Sequence, residues 1–209
     1  MKLDDLLDRI EKLKDSNISN TINNRINEFK DLNRDSNEDL FKEMCYCILT
    51  ANFSAERSIK IHDEINDCFL NNSEKELAIK LKKMGHRFPN ARAKYISESI
   101  KCKNELSKVI KYHDFNKIRD WIVKNVKGLG YKESSHFLRN IGFDDFAIID
   151  FHIIDLLVDY KIISKPKILT KKKYFEIENI LREIADMTNL SLAELDLYLW
   201  YIETGKILK

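Results

Sequence analysis

Apolar residues recur along most of the chain at the three- and four-residue spacing of amphipathic helices. In residues 1–30 this spacing predicts helix, with Asn- and Ser-rich breaks expected near residues 16–24. A strongly apolar helix is predicted from Ser36 to a polar turn around Asn52–Ser54. Further helices are predicted over residues 55–70, over 73–85 with a capping-box start at Ser73, from the basic loop "HRFPNARAKYI" to about residue 110, and in "DFNKIRDWIVKNV".

The last helix has clear start and stop signals. Ser191 and Glu194 have the spacing of a capping box, and Gly205 is a suitable residue just past the helix end. Its apolar stripe consists of Leu192, Leu195, Leu199 and Ile202. Upstream, the residues after Asp150 are apolar nearly all round, which predicts a buried helix.

Composition agrees with a helical protein. The 209 residues include only five glycines and two prolines, too few for a turn-rich β architecture. About 44% of the residues are hydrophobic, enough for a core in one domain or in two small lobes. We therefore predict an all-α fold, and composition marks no domain boundary.

Net charge is only +2, but lysine and arginine are unevenly distributed. Residues 80–103 hold eight of these cations and one acid, and residues 161–173 hold six lysines and no acid. Such runs predict either surfaces that meet nucleic-acid phosphates or ordinary solvated helix faces. Four cysteines without paired spacing predict reduced thiols in a cytosolic protein, and no membrane-spanning run is expected.

The segment "VKGLGYK" predicts a sharp turn between two helices. Gly128 and Gly130 permit backbone conformations that other residues avoid, and leave the first amides of the second helix uncovered. Uncovered N–H groups and the positive helix end together attract a phosphate. The segment is thus either a DNA-binding helix-hairpin-helix element, with Tyr131 lining its surface, or a plain turn.

Lys132 lies in the first turn of that second helix, where the helix dipole disfavours a cation. Its helical neighbours Ser135, His136 and Arg139 are polar, so we expect Lys132 to point to solvent or to a cleft. A lysine shielded from water near other cations readily supplies the free amine of a nucleophile. The alternative is a surface lysine without a role.

Asp150 precedes the buried helix and is predicted to cap its N-terminus. A carboxylate held by helix N–H groups stays ionised and fixed in place. It can therefore stabilise positive charge on a sugar ring while it caps the helix.

The combination of "GLGYK" and the later "IDFH" resembles the helix-hairpin-helix-GPD superfamily of DNA glycosylases, from about residue 38 onward. The resemblance implies two helical lobes with a cleft between them and a single glycosylase unit over residues 1–209. It implies Lys132 as the Schiff-base nucleophile and Asp150 as its catalytic partner. In "ILTANFSA", Asn52 matches the residue that fills the gap left by a flipped base.

The closer resemblance is to the type 2 8-oxoguanine DNA glycosylase/lyases, through "GHRFPNARAKYI", "GLGYKESSHFLRNIGF" and "LYLWYIETGKILK". That family ends at a lysine whose side chain and carboxylate take part in recognising the damaged guanine, which matches Lys209. Trp200 is the implied stacking platform for the flipped base. His152 is expected to orient the active site or contact a phosphate, and Phe88 to fill the gap or pack within its turn.

The sequence also departs from the superfamily pattern. Lys127 replaces the proline that often precedes the hairpin glycine, and Ile148-Ile149 replaces the Gly-Pro before the aspartate. Endonuclease III-type relatives carry four C-terminal cysteines for an iron–sulfur cluster, and because no cysteine follows Cys102 here, that cluster is not expected. No metal site or cofactor is expected either. The implied partner is double-stranded DNA containing 8-oxoguanine. The protein is expected to be a monomer, located in the cytoplasm of a prokaryote and associated with its nucleoid. A same-fold glycosylase for oxidised pyrimidines and a non-catalytic DNA-binding module remain alternatives.

Overall fold

The computed structural model describes residues 2–209, and these contain helices but no strand, which confirms the predicted all-α class. A 3-10 helix at Ile100–Glu105 accompanies the α-helices of this part of the chain. In chain order the α-helices are α1 Leu3–Lys14, α2 Asn17–Lys30, α3 Asn37–Thr50, α4 Ala55–Ile65, α5 Cys68–Asn71, α6 Glu74–Lys83, α7 Pro89–Ser99, α8 Leu106–Val109, α9 Phe115–Asn125, α10 Tyr131–Asn140, α11 Phe151–Asp159, α12 Lys171–Met187 and α13 Leu192–Thr204.

The chain divides into two compact units. The hairpin unit comprises Leu32–Ile141 together with Lys209, and so contains α3 to α10. The terminal unit comprises the chain up to Asp31 together with Gly142–Leu208, and so contains α1, α2 and α11 to α13.

Helix α3 forms the centre of the hairpin unit. It contacts α4, α5, α7, α8 and α10, and from Met44 to Leu49 its side chains are fully buried. Burying a large apolar side chain contributes roughly 1.5–3 kcal/mol, so α3 supplies much of the stability of this unit. The charged residue Glu43 is buried within the same helix.

Helix α13 forms the centre of the terminal unit, where it contacts α1, α2, α11 and α12. Ile22, Ile26 and Phe29 of α2 form one apolar cluster with Ala193, Leu197 and Tyr198 of α13. This packing explains why the Asn- and Ser-rich stretch is helical from Asn17, and the predicted break over residues 17–24 is wrong. Ser16 caps α2 and ends the real break.

Two other predicted helices are shorter than expected. The helix predicted over 55–70 stops at Ile65, and the chain turns before α5. The helix predicted to reach about residue 110 stops at Ser99, whose hydroxyl donates to the carbonyl of Tyr95 at 2.6 Å. Such a bond competes with the helical backbone pattern, and the chain tightens into the 3-10 helix.

Within residues 2–209, no helix combines the length and the apolar character needed to cross a membrane.

Both predicted capping boxes are confirmed, and the one at α13 gives a stability test. The hydroxyl of Ser191 accepts from the backbone N–H of Glu194, whose carboxylate accepts from the N–H of Ser191 at 2.8 Å. We expect Ser191→Ala to lower the free energy of unfolding by about 1 kcal/mol, measured by urea unfolding. Ser164→Ala, at an exposed position outside the helices, is the control; an equal effect of both changes would contradict the capping role.

Candidate active site

The turn between α9 and α10 depends on one glycine more than on the other. Gly128 has φ +91°, and a Cβ there would lie 2.5 Å from the ring of Tyr95. Gly130 is the N-cap of α10 and has an extended backbone. Because Gly130 has no side chain with which to cap the helix, it leaves the first-turn amides of α10 open to an external acceptor.

Tyr131 and Lys132 begin α10. The hydroxyl of Tyr131 donates to Asp120 at 2.6 Å, which ties the start of α10 to α9. The side chain of Lys132 is 24% exposed, and its Nζ lies 3.9 Å from Glu133 Oε1. The lysine is thus partly shielded but reachable from solvent.

The polar neighbours of Lys132 along α10 are buried. Ser135, His136 and Arg139 all lie inside the hairpin unit. The guanidinium of Arg119 donates to Ser135 Oγ at 3.1 Å, and Arg139 donates to the amide oxygen of Asn140. These hydrogen bonds satisfy groups that would otherwise be costly to bury.

His136 lies one helical turn after Lys132 and is completely enclosed. Burial holds the pKa of His136 well below its usual value, and the nearby positive charges of Arg139 and Lys132 lower it further. The imidazole is therefore neutral near pH 7. Its Nδ1 has no hydrogen-bond partner among the described residues.

Asp150 caps α11 as predicted. Its Oδ1 accepts a hydrogen bond from the backbone N–H of Ile153 at 3.0 Å, and Asp150 as a whole is half-buried. The expectation of an entirely buried helix is wrong at its first residue, because Phe151 is 66% exposed. The carboxylate is therefore fixed by its own helix next to an exposed aromatic side chain.

Trp200 and His152 are neighbours in the terminal unit. Their rings meet edge to face, with centroids 4.9 Å apart, and His152 Nδ1 lies 3.7 Å from Glu203 Oε1. The Nε1 of Trp200 is buried and has no partner in the described part of the chain. This indole N–H is a hydrogen-bond donor without an acceptor.

Lys209 contacts α3 within the hairpin unit. Its Nζ lies 2.5 Å from Glu43 Oε2 and 4.7 Å from the centre of the Tyr46 ring. The Tyr46 hydroxyl donates to the main-chain oxygen of Lys209 at 3.0 Å. Ile207, two residues earlier, packs against the α2–α13 cluster in the terminal unit.

Asn52 and Phe88, the residues expected to fill the gap, are exposed on two loops of the hairpin unit. Asn52 has φ +56°, a conformation that asparagine tolerates better than most residues. Buried Arg92 donates to the carbonyl of Ala51, and its guanidinium lies 5.6 Å from the Phe88 ring centre. Arg92 thus contacts both loops.

Sequence reasoning missed the buried polar residues around Lys209, namely Glu43, Tyr46 and Asn140. The available signal was the glutamate that begins the otherwise apolar stretch "EMCYCIL" of α3. The predicted catalytic residues belong to different units: Lys132 to the hairpin unit and Asp150 to the terminal unit.

Comparison with known proteins identifies the family. Residues 22–190 match the family model described as 8-oxoguanine DNA glycosylase. The 8-oxoguanine DNA glycosylase/AP lyase of Methanocaldococcus jannaschii is 52% identical over 205 residues, covering 98% of this chain and 99% of the relative. That of Korarchaeum cryptofilum is 51% identical over 211 residues, covering 100% of both chains.

Solved structures of proteins with the same name are similar to this chain. The crystal structure of the M. jannaschii 8-oxoguanine glycosylase/lyase in complex with a 15mer DNA containing 8-oxoguanine has a TM-score of 0.95 and 51% identity, covering 98% of this chain and 99% of that chain. The 8-oxoguanine DNA glycosylase of Thermotoga maritima has a TM-score of 0.94 and 40% identity, covering 99% and 100%. The fold of this chain and its hairpin between α9 and α10 are those of the helix-hairpin-helix DNA glycosylases. Within that class, the chain belongs to the 8-oxoguanine DNA glycosylase family, which confirms the resemblance.

The two hairpin glycines give a paired test. We expect Gly128→Ala to lower the free energy of unfolding by about 1–3 kcal/mol, because alanine is strained at positive φ and its Cβ meets Tyr95. Gly130→Ala should cost less, about 1 kcal/mol at most, because alanine fits the extended backbone and its Cβ would lie 3.5 Å from the nearest atom, although alanine is a poorer N-cap than glycine. Urea unfolding of both variants measures the difference; equal destabilisation would contradict the assigned geometry.

His86 gives a pH test. Its Nδ1 accepts from the N–H of Phe88 and its Nε2 lies 3.0 Å from the carbonyl of Leu49, so the ring is neutral with the proton on Nε2. Burial lowers the pKa of His86, although the bond to Leu49 opposes that shift. The unfolded chain therefore binds more protons, so the contribution of His86 to stability is present above about pH 6.5 and lost as the pH falls.

We accordingly expect the free energy of unfolding to decrease less steeply between about pH 6.5 and pH 5 in His86→Gln than in the parent. Urea unfolding at several pH values measures this slope, with His113→Gln at an exposed position as the control. A slope unchanged by His86→Gln would refute the neutral, hydrogen-bonded assignment.

Proposed function

We propose that this chain is a bifunctional base-excision repair enzyme that removes 8-oxoguanine from DNA and cleaves the strand at the resulting abasic site. The observation that carries the proposal is the match over nearly the whole chain to relatives named 8-oxoguanine DNA glycosylase/AP lyase, one of them solved with DNA containing 8-oxoguanine. The whole chain, residues 1–209, acts as one monomeric glycosylase unit with two lobes.

DNA binding begins at the hairpin. The uncapped first-turn amides of α10 donate hydrogen bonds to a backbone phosphate, and the positive end of the helix favours its charge. Gly128 and Gly130 let the DNA backbone approach closely, and Tyr131 lines this surface. Because such contacts neutralise phosphates, the affinity for duplex DNA falls with salt.

The damaged nucleotide then leaves the base stack, which costs a few kcal/mol. Asn52 and Phe88 are exposed on loops and take the place of the flipped base. Trp200 stacks on the flipped base, while Lys209 recognises it through its side chain. His152, in edge contact with Trp200, orients this pocket or contacts a neighbouring phosphate.

The chemistry uses Lys132 and Asp150. The free amine of Lys132 forms a bond to C1′ as the glycosidic bond breaks, and the departing base takes up a proton. Asp150 is already fixed as a helix cap and stabilises the positive charge that develops on the sugar. After ring opening, the Schiff base acidifies C2′, and loss of that proton expels the 3′ phosphate by β-elimination. Water then hydrolyses the product from Lys132.

The proposed place of action is the nucleoid in the cytoplasm of a prokaryotic cell. The relatives named above come from two archaea and one bacterium, whose DNA lies in the cytoplasm. Double-stranded DNA containing 8-oxoguanine is the partner.

Borohydride trapping tests the nucleophile. The parent protein should form a covalent adduct with an 8-oxoguanine duplex, and Lys132→Gln should form none, because an amide cannot form a Schiff base. Asp150→Asn should slow single-turnover excision by about a hundredfold or more. Persistence of the adduct in Lys132→Gln would refute the assignment.

Substrate competition tests the lesion. An unlabelled 8-oxoguanine duplex should suppress cleavage of the labelled one, and a thymine glycol duplex of the same sequence should not. Stronger suppression by thymine glycol would make the enzyme a glycosylase for oxidised pyrimidines. Salt-sensitive binding without any adduct would make it a non-catalytic binding module.

A further inference from the structure

We infer that Glu43 is a positioning residue for substrate recognition, which holds the side chain of Lys209 through a buried, directional hydrogen-bond network. The inference rests on the proposed function, because it concerns the role of Lys209 in recognising the damaged base. Glu43 itself is 3% exposed and lies in an otherwise apolar stretch of α3, so it touches no substrate.

Both oxygens of the Glu43 carboxylate have partners. Its Oε2 lies 2.5 Å from Lys209 Nζ, and its Oε1 accepts from Asn140 Nδ2 at 2.7 Å. An unpaired charge at this depth would be strongly destabilising, so the two donors account for its presence in the interior. They also fix the carboxylate in one orientation.

The orientation of Asn140 is fixed in turn. Its Oδ1 accepts from Arg139 Nε at 3.1 Å and Nη2 at 2.8 Å. A guanidinium only donates, so the amide of Asn140 must turn its NH2 group towards Glu43. Donation therefore runs from Arg139 through Asn140 to Glu43, and Lys209 donates to Glu43 from the other side.

Tyr46 holds Lys209 from the other side. It lies one helical turn after Glu43, donates its hydroxyl to the main-chain oxygen of Lys209 at 3.0 Å, and places its ring 4.7 Å below the ammonium. The Tyr46 ring is itself held edge to face between His62 and His136, with centroids 5.6 and 5.7 Å away.

This arrangement suits recognition better than stability. A buried ion pair is often no more stabilising than apolar residues of the same volume. Here the pair orders a long, flexible side chain yet leaves it 24% exposed, and the ammonium keeps hydrogens that Glu43 does not use. Lys209 is thus fixed but still reachable by a ligand.

The test separates base recognition from strand cleavage. Glu43→Gln keeps shape and volume, but a glutamine offers one oxygen where Asn140 and Lys209 both require an acceptor. We expect the single-turnover rate of 8-oxoguanine excision to fall at least about tenfold, because the variant loses a hydrogen bond to a charged group. Cleavage of a preformed abasic duplex, which presents no base to recognise, should stay within about twofold of the parent.

Four further variants sharpen the result. Glu38→Gln makes the same chemical change at an exposed position of α3 and should affect neither reaction. Tyr46→Phe removes only the hydroxyl and should reduce excision selectively, which keeps the inference testable if Glu43→Gln unfolds. Lys209→Ala combined with Glu43→Gln should be no worse than Lys209→Ala alone, because both changes act on one group.

Equal excision by the parent and by both the Glu43→Gln and Tyr46→Phe proteins would overturn the inference. So would a parallel loss of excision and abasic-site cleavage with lowered thermal stability, which would mean a structural role alone. A parent protein that excises no 8-oxoguanine would instead refute the proposed function.

Discussion

The left-handed turn at Gly128 is the constraint on which the chemistry proposed for the hairpin unit depends. It lets the chain reverse between α9 and α10 against the ring of Tyr95, and so determines where α10 begins. The start of α10 provides both the uncapped amides and the position of Lys132 one residue into the helix. The proposed nucleophile thus stands on a helix next to the turn proposed to bind phosphate, and this placement reduces the ordering required when DNA binds.

Helix α3 supports this arrangement from the interior. Its apolar residues pack against the helices on several sides, while Glu43 and Tyr46 carry the polar contacts to Lys209. Packing makes the helix rigid, and rigidity gives its buried polar groups fixed directions. The same helix therefore contributes stability through its apolar side chains and orientation through its polar ones.

Local signals predicted much of the fold. The helical class, the capping boxes at Ser73 and Ser191, the glycine turn and the Asp150 cap all depend on residues close together in the chain. Long-range packing was not predictable in this way. It makes the Asn-rich start of α2 helical, and it buries the polar side of α10 because Arg119 and Glu43 supply partners from distant positions.

For the same reason the candidate site was predictable only in part. Lys132 stands out because its place at a helix N-terminus is unfavourable for a cation, and Asp150 because it precedes an apolar helix. Glu43 pairs with Lys209 across almost the whole chain, and no local pattern marks that pair. Residues placed against their local preference, Glu43 included, stand out in the sequence, whereas the partner that each of them contacts is recognisable only once the chain has folded.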